Sequence, residues 1–199
     1  MAATAPTTSR VWTVPNILSL GRLLLSVFCF FLVERQDFKA ATVVFLLAAT
    51  TDWIDGWYAR RFNQVSRLGR ILDPLVDKVL ICGVFILIAA RGGMAILPWM
   101  AVVVVVRELV VTAVRAEMER AGCDFSAGMA GKLKMVLQCA AVGLELGRFG
   151  FPQFFAGTDA AAITGWVAMA AVVLTAYSGA EYVVKAWPVI TAAGPPQVG

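Results

Sequence analysis

The sequence predicts an all-α integral membrane protein with six transmembrane helices and both termini in the cytoplasm. Three observations support this fold class. The chain is 60% hydrophobic and 15% charged, whereas a soluble domain averages nearer half apolar and a quarter charged. Its mean hydropathy is +0.79, and apolar runs recur along the whole length. Basic residues collect on one side when these runs are drawn as alternating membrane crossings.

Six apolar runs define the expected helices. They cover 17–33, 40–51, 79–90, 92–106, 135–144 and 160–180. Only the last run reaches the ~18 uncharged residues that indicate a spanning helix by themselves. The others reach spanning length only if each helix continues into charged residues, namely Arg22, Asp52, Asp55, Lys78 and Arg107. We therefore expect charged side chains inside the membrane helices.

A single membrane domain is expected, because the chain shows no long soluble insertion and no repeat. The domain is expected to cover 16–187, after a cytoplasmic segment 1–15 and before a tail 188–199. No A-x-A-like cleavage site follows the first apolar run. We therefore expect that run to be a retained helix rather than a cleaved signal.

The basic residues predict the orientation. They divide ten to four between the two sides, and the side with ten is expected to be cytoplasmic. The ten are Arg10, Arg60, Arg61, Arg67, Arg70, Arg115, Arg120, Lys132, Lys134 and Lys185, and the four are Arg35, Lys39, Arg91 and Arg148. The net charge of +4 is explained by this bias and by anionic lipid headgroups, so no nucleic-acid partner is expected.

Two residue types limit the possible chemistry. The chain has no histidine, which excludes histidine-based catalysis and histidine metal ligation. Its four cysteines are scattered and form neither a disulfide framework nor a zinc-binding spacing.

Four aspartates lie between residues 50 and 80, next to the apolar runs. Asp52 and Asp55 are three residues apart, which places them on one face at the cytoplasmic end of the second helix. Asp73 and Asp77 are four apart and share a face at the start of the third. A loop of about nine residues joins antiparallel neighbours, so the two faces can meet. The sequence thus predicts four converging carboxylates.

Such a cluster requires cations. One aspartate at membrane depth costs roughly 2.5 to 3.5 kcal/mol, and four close together also repel one another. One or two divalent cations offset both effects, and all-oxygen ligation suits Mg²⁺ or Mn²⁺ rather than zinc or copper. The alternative is that the aspartates pair in water with Arg60, Arg61 and Arg70. Four carboxylates in helical register on facing helices favour the metal site.

The residues between the aspartates suit a diphosphate. Gly56 and Gly69 remove a side chain where a ligand could approach each helix backbone. Ala59 keeps the next turn small, and Arg60 supplies a guanidinium fork for phosphate oxygens. A cation site, a basic fork and two glycine gaps together predict a nucleotide-diphosphate site.

The complete pattern resembles the signature of the CDP-alcohol phosphotransferases at every defining position. It reads Asp52-x2-Asp55-Gly56-x2-Ala59-Arg60-x8-Gly69-x3-Asp73-x3-Asp77. The resemblance implies the six-helix CDP-alcohol phosphotransferase fold, usually homodimeric, with two divalent ions in a site facing the cytoplasm. It implies metal ligation by Asp52, Asp55, Asp73 and Asp77, with Asp77 also the general base. It further implies that Gly56, Ala59, Arg60 and Gly69 bind CDP-diacylglycerol through its cytidine nucleotide and diphosphate.

Outside the signature, further segments look like the bacterial phosphatidylglycerophosphate synthases. These are "PNILSLGR" (15–22), "RELVVTAVR" (107–115), "GKLK" (131–134) and "YSGAEYV" (177–183). The resemblance implies transfer of a phosphatidyl group from CDP-diacylglycerol to sn-glycerol 3-phosphate, in phospholipid biosynthesis at the inner (cytoplasmic) membrane. It covers almost the whole chain, with one departure at Ser19 and Gly21.

The acceptor alcohol in that reaction carries a dianionic phosphate, so further basic residues are expected to bind it. The candidates are Arg107, Arg115, Lys132 and Lys134, with Arg22 more remote. Lys132 and Lys134 could instead be ordinary positive flanks of a membrane helix. Arg107 could instead pair with Glu108 or Glu145. The roles of Ser178 and Tyr182 stay open.

Other functions are compatible with parts of the pattern. Within the same family, the acceptor could be phosphatidylglycerol, as in cardiolipin synthesis, or an inositol phosphate. From another class, a divalent-cation transporter could use the same carboxylates. Transporters, however, place their sites near the membrane midplane and often contain inverted repeats. Here the aspartates lie toward one side and no repeat is visible.

Overall fold

The computed structural model describes residues 14–62, 69–92, 95–120 and 129–192. Within these ranges the chain is helical and contains no β-strand. The helices are α1 (Val14–Glu34), α2 (Phe38–Phe62), α3 (Gly69–Arg91), α4 (Pro98–Arg120), α5 (Met129–Gly150) and α6 (Ala160–Ala192). A short 3₁₀ helix, Pro152–Phe155, lies between α5 and α6. The described residues thus form the six helices that the sequence predicts, while the crossing of the membrane by all six stays a prediction.

The helices extend beyond the apolar runs into charged residues, as the sequence predicts. Helix α2 includes Asp52 and Asp55, and α4 includes Arg107. Helix α5 begins at Met129, so Lys132 lies on a helix rather than in the preceding loop. Helix α6 continues to Ala192, while the domain limits 16 and 187 stay a prediction.

Apolar side chains cover much of the exposed helix surface. In the described residues, one stretch, Ala160–Pro188, is by itself long and apolar enough to cross a membrane. Large apolar side chains are nevertheless exposed on other helices too, among them Leu24 on α1 (64%) and Leu109 on α4 (66%). Extended exposed apolar surface is typical of a protein that contacts lipid.

The chain divides into two compact units. Unit 1 comprises Met1–Leu87 and Leu146–Thr158, and unit 2 comprises Ile88–Glu145 and Asp159–Gly199. Unit 1 therefore contains α1, α2, most of α3 and the end of α5. Unit 2 contains α4, most of α5 and α6.

A tight turn joins α1 to α2 in unit 1. Gln36 has a φ of 63°, the left-handed conformation found where helices end. The amides of Gln36 and Asp37 donate to the carbonyls of Val33 and Leu32, both at 3.0 Å, which is the Schellman pattern. Asp37 Oδ1 then accepts from the amide of Ala40 at 3.1 Å and caps α2. This turn brings α1 and α2 together as consecutive packed helices.

Helices α4 and α6 pack together in unit 2. Several buried apolar residues of these helices are small or β-branched, including Val104, Ala168 and Ala171. Helix α5 joins α6 through a buried hydrogen bond, in which Gln138 Nε2 donates to Thr175 Oγ1 at 2.8 Å. Buried polar residues thus lie on all three helices of unit 2: Glu108 on α4, Gln138 on α5 and Thr175 on α6.

Candidate functional site

The signature residues lie on α2 and α3. Helix α2 runs without interruption through Asp52 and Asp55 to Phe62, and α3 runs from Gly69 through Asp73 and Asp77. The helical spacing that groups these residues on two faces is therefore present in the backbone. Their side chains lie outside the described part of the structure, as do those of Ala59 and Arg60 on α2 and the surroundings of Gly56. The ligand and nucleotide assignments accordingly stay predictions.

The donor set of the signature fits a hard divalent cation. Four carboxylates at helical spacing on two helices offer oxygen ligands alone, which Mg²⁺ and Mn²⁺ prefer. Among the side chains that the structure describes, no group of three or more Asp, Glu or Cys residues could hold a metal ion. The four aspartates are not part of that described set, so they stay the candidate ligands.

A polar cluster forms in unit 2 around the buried carboxylate of Glu108 on α4. Glu108 Oε1 accepts from Arg107 Nη1 at 3.2 Å and from the buried Lys134 Nζ of α5. Arg107 Nη2 donates to Ser178 Oγ of α6 at 3.1 Å. We call Arg107, Glu108, Lys134 and Ser178 the polar cluster. Its members come from three helices and meet only through the fold of unit 2.

The other basic candidates lie in different surroundings. Arg115 is further along α4, with its guanidinium carbon 5.9 Å from the centre of the Tyr182 ring. Lys132 is exposed, and Arg22 is buried in α1 of unit 1. The structure therefore brings Arg107 and Lys134 together at Glu108, places Arg115 beside Tyr182, and leaves Lys132 on the surface.

Among the described contacts, two cations share one carboxylate, because Arg107 and Lys134 both pair with Glu108. In the described part of the chain, Nε of Arg107 and Nε of Arg115 are buried without a hydrogen-bond partner. Buried guanidinium groups with donors left over are suited to an anion, and most of all to the oxygens of a phosphate.

One of the two alternatives for Arg107 is found in the structure. Arg107 pairs with Glu108, whereas Glu145 Oε1 accepts from the backbone amide of Ala95 at 2.7 Å. Sequence reasoning did not identify the Lys134–Glu108 pair, the contact of Ser178 with Arg107, or the Gln138–Thr175 bond. One signal was present in the sequence, because Thr175, Ser178 and Tyr182 are spaced three and four apart and define a polar face on an apolar helix.

Comparison with known proteins identifies the family. The model of the CDP-alcohol phosphatidyltransferase family matches residues 12–177. The chain therefore belongs to the CDP-alcohol phosphatidyltransferase family, as the signature on α2 and α3 predicts.

Individual relatives cover most of the chain. A CDP-diacylglycerol–glycerol-3-phosphate 3-phosphatidyltransferase of Bacillus subtilis (strain 168) is 32% identical over 193 residues, covering 89% of this chain and 96% of the relative. The protein of the same name from Escherichia coli (strain K12) is 33% identical over 164 residues, covering 78% and 90%. One from Pseudomonas fluorescens is 37% identical over 112 residues, covering 55% and 57%.

Proposed function

We propose that this chain transfers the phosphatidyl group of CDP-diacylglycerol to sn-glycerol 3-phosphate. The products are phosphatidylglycerophosphate and CMP, so the reaction belongs to phospholipid biosynthesis. The relatives from Bacillus subtilis and Escherichia coli are named for this reaction, and the similarity covers 96% and 90% of their lengths. Family membership by itself leaves the acceptor open, because the signature is shared by enzymes with different acceptors.

The observation that supports this acceptor is the cluster of cations in unit 2. Among the described contacts, Arg107 and Lys134 share the carboxylate of Glu108, and Arg115 lies further along α4 with a buried Nε that has no hydrogen-bond partner. Such cations suit the dianionic phosphate of glycerol 3-phosphate. Phosphatidylglycerol carries a monoanionic phosphodiester on the glycerol that bears its hydroxyl, one negative charge fewer than the phosphate of glycerol 3-phosphate. Phosphatidylglycerol is therefore a poorer match to unit 2 than a phosphorylated polyol. Lys132, also an acceptor candidate from the sequence, is exposed and has a weaker case.

The signature residues supply the other half of the reaction. Asp52, Asp55, Asp73 and Asp77 would hold two divalent ions, Mg²⁺ or Mn²⁺, which polarise a bound diphosphate and stabilise a leaving nucleotide. Gly56, Ala59 and Gly69 keep space for the cytidine diphosphate, and Arg60 binds its phosphate oxygens. Asp77 accepts the proton of the attacking primary hydroxyl, which makes that oxygen a stronger nucleophile.

The membrane arrangement follows the same proposal. All six helices cross the inner (cytoplasmic) membrane, both termini and the active site face the cytoplasm, and the protein is a homodimer. Exposed apolar side chains on helices such as α1 and α4 support the multi-pass arrangement. The ten-to-four division of basic residues supports the orientation.

An acceptor panel tests the proposed function. Purified protein receives CDP-diacylglycerol and Mg²⁺ with one of four acceptors: glycerol 3-phosphate, phosphatidylglycerol, inositol phosphate or serine. CMP release is the readout, and we expect it with glycerol 3-phosphate. Turnover with another acceptor and none with glycerol 3-phosphate would show the assignment to be wrong.

A second arm of this experiment addresses transport. Family membership favours a transferase over a divalent-cation transporter. Proteoliposomes that accumulate Mg²⁺ or Mn²⁺ without releasing CMP would contradict the transferase.

A further inference from the structure

Arg107 is held in unit 2 by contacts from two helices. On its own helix, α4, its Nη1 donates to Glu108 Oε1 at 3.2 Å. From α6, Ser178 Oγ accepts from Nη2 at 3.1 Å, and this hydroxyl itself donates to the carbonyl of Thr175, also at 3.1 Å. The two ends of the guanidinium fork are thus fixed separately, one by each helix.

Gly179 makes room for the stem of the same side chain. A Cβ atom at position 179 would lie 2.7 Å from Arg107 Cγ and 3.7 Å from its Nε. The first distance is shorter than side-chain carbon contacts reach, so any larger residue at 179 would displace the stem of Arg107. At Gly165, in the same helix, a Cβ atom would meet no other described atom within 4 Å apart from its own stretch of helix backbone and its two chain neighbours. Close approach to Arg107 is therefore specific to Gly179.

The space beside α6 into which the Arg107 side chain could be displaced is lined by apolar residues. There, an apolar groove of about 350 Å³ lies between α4 and α6, lined by Arg107 and by apolar residues including Val106, Val110, Ala176 and Val183. A guanidinium that moved into this groove would lose the Ser178 bond without replacement. Burial of such unsatisfied donors is unfavourable, so Arg107 is confined to the side where Ser178 and Glu108 lie.

We propose that Ser178 and Gly179 are positioning residues that hold the Arg107 guanidinium in place for the phosphate of the acceptor alcohol. This inference rests on the proposed function. The fork loses less conformational freedom on binding when it is already fixed, which raises affinity for the phosphate. The pair also explains why an apolar membrane helix contains adjacent serine and glycine, both poorer helix formers than alanine.

The test compares Gly179→Ala with Gly165→Ala. Both replace glycine by alanine in α6, so they change helix propensity equally. For Gly179→Ala we expect KM for glycerol 3-phosphate to rise about tenfold, the cost of weakening one charge-assisted hydrogen bond. KM for CDP-diacylglycerol should stay unchanged. Gly165→Ala should leave both KM values at the wild-type level.

Two further variants separate positioning from a general structural role. Ser178→Ala removes only the hydroxyl and should also raise KM for glycerol 3-phosphate. Ser178→Thr keeps a hydroxyl, so its KM should lie between those of Ser178→Ala and the wild type. With Arg107→Ala in place, the nearest side-chain atom to a Cβ at 179 is Cβ of residue 107, at 3.8 Å, an ordinary contact. Gly179→Ala should then add nothing to the effect of Arg107→Ala.

Each outcome bears on the inference. An unchanged KM for glycerol 3-phosphate in both Gly179→Ala and Ser178→Ala would overturn it, as would equal losses for both substrates. If Gly179→Ala does not fold, Ser178→Ala decides alone. If wild-type protein uses another acceptor, the proposed function fails but the same comparison is made with that acceptor. A phosphate-bearing acceptor should show the KM rise, and an effective acceptor without phosphate would overturn the inference.

Discussion

The signature segment of unit 1 and the polar cluster of unit 2 differ in how their residues are brought together. In the signature, eight residues fall within 26 consecutive positions, and helical spacing alone sets their faces. In the polar cluster, Lys134 lies 26 residues from Glu108, and Ser178 lies 71 from Arg107. The first set depends on local structure and the second on packing of α4, α5 and α6.

This difference separates two kinds of functional information. The signature is compact enough to be recognised as a motif, and it points to the chemistry common to the family. The polar cluster is the proposed binding site of the acceptor phosphate, and its pairs between helices cannot be recognised as a motif because they are distant in sequence. Variants in the signature should therefore act on turnover, and variants in the polar cluster on acceptor affinity.

The largest effect is expected for Asp77→Asn in the signature. Loss of the proposed general base should reduce kcat by roughly 10²- to 10⁴-fold, while CDP-diacylglycerol still binds. CMP release measures kcat, and binding is measured with labelled CDP-diacylglycerol. Asp37→Asn is the matched control in unit 1, because asparagine caps a helix about as well as aspartate and should retain full activity. Near-normal turnover in Asp77→Asn would remove this residue from the base role.

An intermediate effect is expected for Lys134→Met in the polar cluster. Removal of the buried cation that pairs with Glu108 should raise KM for glycerol 3-phosphate by roughly 10- to 100-fold, with KM for CDP-diacylglycerol unchanged. Lys132→Met, two residues away on the same helix, removes an exposed cation and should change KM by less than about threefold. Equal effects of the two substitutions on KM would mean that the burial of Lys134 and its contact with Glu108 do not affect the binding of glycerol 3-phosphate.

The smallest effect is expected for Thr175→Val, next to the polar cluster. This isosteric change removes the hydroxyl that accepts from Gln138 at 2.8 Å and should cost about 1 kcal/mol of stability. The thermal midpoint in detergent should fall by about 2–4 °C without a change in either KM. Thr175→Ser keeps the hydroxyl and should retain most of the stability. A raised KM for glycerol 3-phosphate in Thr175→Val would extend the acceptor site to this bond.

Much of the fold was accessible from hydropathy. Each of the six apolar runs overlaps a helix, although the run 92–106 begins six residues before α4. The expected continuation through charged residues is found in α1, α2, α3 and α4. The ends of the helices were harder to predict from hydropathy. Helix α5 spans Met129–Gly150, although its apolar run covers only 135–144. Polar residues such as Lys132 continue a helix when it is long enough to be stabilised by packing elsewhere, which a hydropathy pattern does not register.

The candidate site divides in the same way. The sequence by itself determined the family, the four carboxylates and their helical register, because these depend on residues a few positions apart on one helix. Only the tertiary structure decided that Glu108 pairs with both Arg107 and Lys134, and that Lys132 is exposed. It also decided that Ser178 and Gly179 contact the Arg107 side chain. Such contacts join residues from different helices, so their geometry depends on how α4, α5 and α6 pack. The spacing of residues along one helix does not predict this packing.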